Sequence, residues 1–194
     1  MQKKLFFCCS SAGGGREAIL RELGGALAGA GGFITRQAIG ADGALLGLDL
    51  LPAAAAAGVD GFHGARFLDF TAVPPKTDND VFRLEAVRLL QEAPYYPFTL
   101  LDSLGSFELV IPQFREALSL FLSADVPCVG IVKPLDETEL MRSFLGLGER
   151  MIDQAIRLRA SLESDADTLV IDVDDEFDER GLAILRQWAR AYVR

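Results

Sequence analysis

The stretch Lys4-Leu5-Phe6-Phe7-Cys8-Cys9-Ser10-Ser11-Ala12-Gly13-Gly14-Gly15-Arg16-Glu17 decides the fold. Lys4 to Cys9 is a short apolar run of the length and type of a buried strand. Three successive glycines then free the backbone for a sharp change of direction. Beyond them Ile19, Leu20, Leu23 and Leu27 recur on roughly one side, so a helix is expected over Ala18 to Leu27, with Gly31-Gly32 breaking it. Strand, glycine turn and helix in that order open a unit that builds sheets covered by helices.

The alternation continues outward. Strands are expected at Phe33 to Ile39 and Leu45 to Leu51, joined by Asp42-Gly43, a pair that tolerates the positive φ of a tight hairpin. Ala53 to Ala57 has no period, and the stretch from there to Asn79, which contains Pro74-Pro75, reads as loop with one short strand near Phe67 to Phe70. Helical patterns follow at Val81 to Ala93, at Pro112 to Ser123 with proline in the first turn, at Glu137 to Leu162 with a weak point at Gly146 to Gly148, and at Glu176 to Val193. Buried strands are expected at Phe98 to Asp102, Val126 to Val132 and Leu169 to Val173. The expected fold is α/β, one domain over residues 1–194, with a mostly parallel sheet, helices on both faces and an antiparallel hairpin.

Composition narrows the function. Net charge is −9, which disfavours nucleic acid and anionic membrane surfaces as main partners, since both require a positive footprint. No stretch approaches the roughly 20 apolar residues of a membrane span. Lys3 and Lys4 before the first apolar run have the shape of a short signal peptide, but the run is shorter than the roughly 7–15 residues such a region needs. Cys8, Cys9 and Cys128 form neither a disulfide framework nor a zinc spacing, so buried thiols in a reducing, cytoplasmic setting are expected.

The chemistry-bearing segment is the glycine loop. A complete phosphate-binding loop reads G-x-x-x-x-G-K-[ST] between a strand and a helix, where backbone N–H groups and the helix N-terminus face phosphate oxygens. Here Ser10 stands at the first glycine and Gly15 at the second, with Gly13 and Gly14 between. Arg16 replaces the lysine and Glu17 the Mg²⁺-binding hydroxyl. A carboxylate at Glu17 within ~4 Å of a phosphate charge would repel it by roughly 4 kcal/mol at an effective dielectric near 20. The same residues also read as a plain glycine-rich turn. Phe98-Thr99-Leu100-Leu101-Asp102 has the form of a Walker B strand, in which Asp102 would hold Mg²⁺. Ser103 stands where a catalytic glutamate often follows and cannot serve as a base at neutral pH.

Asp102-Ser103-Leu104-Gly105-Ser106-Phe107-Glu108-Leu109, followed by Phe114-Arg115-Glu116-Ala117, resembles a segment of the small P-loop nucleoside-triphosphatases of the cancer-related nucleoside-triphosphatase type. Gly32-Phe33-Ile34-Thr35-Arg36-Gln37, the Asp42-Gly43 turn and Gly47-Leu48-Asp49 are similar to that family's hairpin. The likeness covers residues 3–133 and is weak beyond. It implies a RecA-like sheet with the loop strand near its centre, a nucleoside triphosphate ligand with little base preference, and slow Mg²⁺-dependent hydrolysis. Gly13, Gly15, Asp102, Glu108 and Arg115 sit on matching positions. Arg16, Glu17 and Ser103 depart from the family pattern, and each lost stabilising group costs about 10²–10³ in rate, so efficient hydrolysis is not expected.

Lys133 ends the strand after Walker B. The resemblance puts that strand end beside the phosphates, so Lys133 either supplies the missing ammonium or is a solvated residue before Pro134. Arg180 corresponds loosely to an arginine near the family's nucleotide base. His63, the single histidine, reads as an exposed loop residue. Asp172, Asp174, Asp175, Glu176, Asp178 and Glu179 read as an acidic helix start or, less simply, a cation site. The expected function is a degenerate nucleoside-triphosphatase-like protein that binds a nucleoside triphosphate or other phosphate ligand with weak or no hydrolysis. The alternative is a non-catalytic interaction protein, partnering another protein or an intact homologue, that keeps the fold without the nucleotide.

Overall fold

The computed structural model describes residues 2–58, 61–173 and 179–193. Strand β1 (Lys4–Cys8) passes through the glycine turn into α1 (Gly14–Leu23), and a 3-10 turn (Gly24–Gly29) leads to β2 (Ala30–Ile39). Helix α1 starts at Gly14, not Ala18, because Gly13 already serves as its N-cap. It stops at Gly24, which takes a φ of +48°. The Gly31-Gly32 pair is not the helix stop but lies inside β2. A Cβ on Gly32 would meet the Leu100 carbonyl oxygen at 2.2 Å, and one on Gly31 would meet the Tyr96 ring at 2.8 Å. Close approach, not a turn, requires these glycines.

The chain continues through β3 (Leu45–Pro52), a 3-10 turn (Ala53–Ala57), β4 (Ala65–Asp69) and β5 (Lys76–Thr77). A π-helical turn (Val81–Ala86) then runs into α2 (Val87–Glu92). After it come β6 (Phe98–Leu104), α3 (Pro112–Ser123), β7 (Cys128–Val132), α4 (Leu135–Leu145), α5 (Arg150–Ser164), β8 (Thr168–Asp172) and α6 (Glu179–Tyr192). Gly146, at φ +64°, caps α4 and splits the long helix expected over Glu137 to Leu162 into two.

The sheet is mixed and eight-stranded, in the order β5-β4-β3-β2-β6-β7-β1-β8. Strands β2, β6, β7, β1 and β8 are parallel neighbours, and β3, β4 and β5 extend β2 in antiparallel fashion. The segment expected to be mostly loop holds the short strand expected near Phe67 to Phe70, as β4, and adds a second, β5. Strand β4 pairs with the edge of β3, and the two-residue β5, which carries no pattern of its own, pairs with β4. The extension shifts the middle of the sheet towards β2 and β6. The loop strand β1 thus lies one place from the β8 edge, not at the centre that the resemblance implied.

Alternation in the strands builds two cores. Phe6, Phe33, Leu101 and Cys128 face one side and pack with Phe114 and Leu118 of α3 and Leu158 and Leu162 of α5. Leu5, Phe7, Ile34, Leu100 and Val129 face the other and pack with Ile19 and Leu23 of α1 and Leu185 and Trp188 of α6. Helices thus cover both faces, as strands apolar on both sides demand. Among the described residues no helix is long and apolar enough to cross a membrane.

Candidate functional site

The ends of β1, β6 and β7 place the loop, Asp102 and Lys133 side by side. Strand β7 lies between β1 and β6. The Cys9 N–H donates to the Val132 carbonyl at 3.1 Å, and the Lys133 N–H donates to the Leu104 carbonyl at 2.8 Å, so the three strand ends are pinned in register. A cleft of about 510 Å³ opens above them. It is lined by Ser11, Gly13, Arg16 and Glu17 from the loop and α1, by Thr35 and Arg36 from β2, and by Lys133. Ala55, Ala56 and Gly58 border it, so the segment after β3 reaches the site.

Arg16 does not project freely towards a ligand. Its Nε donates to both Asp102 oxygens, at 2.9 and 3.0 Å, and its Nη2 donates to Asp102 Oδ2 and to the Thr35 carbonyl at 2.7 Å. Asp102 is fully buried behind it. Burial pushes the Asp102 carboxyl above its ordinary range, while the Arg16 guanidinium and the nearby Lys133 pull it back down. Both oxygens accept from the fork, which is the geometry of a retained ion pair. Both members of this pair departed from or matched the family pattern separately, yet the structure joins them. The guanidinium covers the carboxylate that a Mg²⁺ ion would need.

The rest of the metal set is equally poor. Glu17 is exposed on the first turn of α1, and Ser103 buries its hydroxyl with no hydrogen-bond partner among the described residues. Among those residues no group of three or more His, Cys, Asp or Glu side chains converges. The donor set therefore does not fit a Mg²⁺ ion beside Asp102.

Glu137 is the site residue that sequence reasoning missed. The Ser11 N–H donates to Glu137 Oε2 at 3.0 Å, and the Ser11 hydroxyl donates to Oε1 of the same carboxylate. An anion from α4 thus sits on the glycine loop and occupies the Ser11 amide and hydroxyl. Thr138 holds it there. This buried residue donates through its hydroxyl to the Gly105 carbonyl at 2.7 Å, tying the first turn of α4 to the end of β6. The two partners are 126 positions apart in sequence, so no local pattern signals the contact. Ser10 has a structural part, its carbonyl accepting from Gly13 N–H at 3.2 Å. Gly14 and Gly15 belong to α1 itself.

Lys133 is not the solvated lysine that Pro134 suggested. It is only 8 % exposed, and its ammonium has no ion pair among the described residues. Glu108 turns inward and accepts from Gly105 and Ser106 N–H groups at 2.7 and 2.8 Å, a structural task. Arg115 lies elsewhere, half-buried between α3 and α5. His63 is exposed, as expected. Asp172 pairs with Arg159, and Glu179 lies 3.6 Å from Arg186, while Asp174, Asp175, Glu176 and Asp178 lie outside the described residues. Cys9 and Cys128 are buried and Cys8 half-buried, all three free. Burial pushes the Cys9 thiol up to about 12, which leaves it unreactive. The chain matches no protein-family model, no curated protein and no solved structure.

Proposed function

We propose that this protein is a P-loop nucleoside-triphosphatase-like protein that does not hydrolyse nucleotide and binds a phosphate-bearing ligand, a nucleoside triphosphate in the first instance, without a metal ion. The observation that carries this reading is the Arg16–Asp102 fork. It unites the cation expected to meet the terminal phosphate with the carboxylate expected to hold Mg²⁺, so neither is free for phosphoryl transfer, which depends on charge placed at the phosphates. The order of strands supports the fold assignment, since β7 separates the loop strand from the Asp102 strand and brings Lys133 to the loop. Ligand affinity would rest on Lys133 and Arg36, the cations of the cleft that form no ion pair among the described residues, although the Lys133 charge is felt by Asp102.

In this reading Glu137 is an internal competitor. A phosphate must displace its carboxylate from Ser11 before the loop can bind. The same contact favours a second reading, a non-catalytic interaction protein in which Glu137 has replaced the ligand for good. Titration with ATP and GTP, read as a rise in melting temperature, together with an assay for released phosphate, separates the possibilities. Saturable binding that Lys133→Ala weakens, with no phosphate release, is the expected result. Release that Asp102→Asn abolishes would overturn the proposal. No binding at millimolar nucleotide, by either the native chain or Glu137→Ala, would leave the second reading.

A further inference from the structure

A second concavity lies on the helix layer and shares no lining residue with the cleft. It is a groove of about 490 Å³ between α3 and α5, within the range of small-molecule sites. Its floor is apolar: Leu109, Leu118, Leu158 and Leu162 are all buried there. Two guanidinium groups, Arg115 and Arg157, line it with a set of serines that includes Ser119 and Ser161.

The charge of these arginines is unspent. In a chain of net charge −9, Arg115 and Arg157 have no ion pair and no side-chain hydrogen-bond acceptor among the described residues, and Arg115 Nε is in addition shut off from solvent. Their neighbour Arg159, two residues further along α5, is bonded to Glu163 and to both oxygens of Asp172. The carboxylate at the groove's end, Asp165, is already engaged by the Thr168 hydroxyl at 2.6 Å and by Lys4 at 3.7 Å. An apolar floor rimmed by one half-buried and one exposed guanidinium group, both unpaired among the described residues, fits a ligand with a hydrocarbon body and one carboxylate, since guanidinium holds a carboxylate through paired, charge-assisted hydrogen bonds.

We propose that the α3–α5 groove is a binding site for a small amphipathic monocarboxylate, with its chain along the leucine floor and its headgroup on Arg115 and Arg157. The site is independent of the glycine loop and of any nucleotide.

Decanoate below its micelle concentration is the probe, with decanol as the neutral control, and binding is read by calorimetry on the full chain. Saturable decanoate binding is expected, weaker by about tenfold or more in Arg157→Gln and in Arg115→Lys, the loss of one charge-assisted hydrogen bond. Arg115→Lys keeps the charge and removes the planar fork, so it separates recognition of the carboxylate from simple attraction. Glu137→Ala should leave decanoate affinity unchanged. Equal binding of decanol and decanoate, full affinity in both arginine variants with unchanged melting temperature, or no decanoate binding at all would each overturn the proposal. Nucleotide titrations play no part in that outcome, so the fate of the cleft and the fate of the groove are read separately.

Discussion

The cleft over the strand ends and the groove between α3 and α5 are of similar size but opposite in how their charge is used. In the cleft, Arg16 is bound to Asp102, and the loop amide of Ser11 is bound to Glu137. In the groove, Arg115 and Arg157 hold guanidinium groups with no protein partner among the described residues. The glycine loop is the segment that resembles a known motif, yet Arg16 and the Ser11 donors are satisfied within the chain. The groove carries no motif, yet its charges are unmet. A motif marks where a backbone shape occurs, and side-chain pairing decides whether the shape is still available to a ligand.

The largest effect should come from breaking the buried pair. Arg16→Ala leaves the Asp102 carboxylate buried without its partner, and denaturant unfolding should show a loss of about 3–5 kcal/mol. The double variant Arg16→Met with Asp102→Leu removes both charges and should recover most of that loss. A fully additive loss would mean that the pair is not coupled. Next comes Glu137→Ala. Removing the internal anion should tighten ATP binding by about tenfold, the worth of a hydrogen bond to a charged group, with little change in melting temperature. A decrease in affinity would mean that Glu137 supports the loop instead of competing with its ligand.

The smallest effect concerns Asp172, which is mostly exposed. The Arg159 guanidinium holds its carboxyl below the usual range. The folded state therefore releases that proton more readily than the unfolded chain. The resulting stability is present above the unfolded carboxyl value and is lost as pH falls through the lower folded one. Asp172→Asn should flatten the acid limb of the thermal stability profile slightly and leave neutral pH nearly unchanged. An unaltered acid limb would show that this surface pair contributes nothing, as many do.

Much of the fold was legible because its strong elements declare themselves locally. Phe98 to Asp102 and Val126 to Val132 are continuous apolar runs, Asp42-Gly43 makes its hairpin, and Pro112 opens α3 where expected. The illegible parts depend on neighbours. Strand β5 forms only on the edge of β4, and Gly31-Gly32 serves the approach of β6 and Tyr96 where a helix stop was read. For the site, only the resemblance put the ends of the loop strand, the Asp102 strand and the Lys133 strand in one region, with a solvated Lys133 as the alternative. The sequence could not foresee that Arg16 would turn onto Asp102 or that α4 would deliver Glu137 to Ser11, because both contacts join residues far apart in the chain.

The most direct test of the account is one calorimetric titration series, ATP into the native chain and into Glu137→Ala, each with and without Mg²⁺. The account predicts that Glu137→Ala binds more tightly and that Mg²⁺ makes no difference to either protein, because Arg16 already covers Asp102. Binding that requires Mg²⁺ would contradict it. Such a result would mean that the metal displaces the guanidinium and that the Arg16–Asp102 fork is only a resting state.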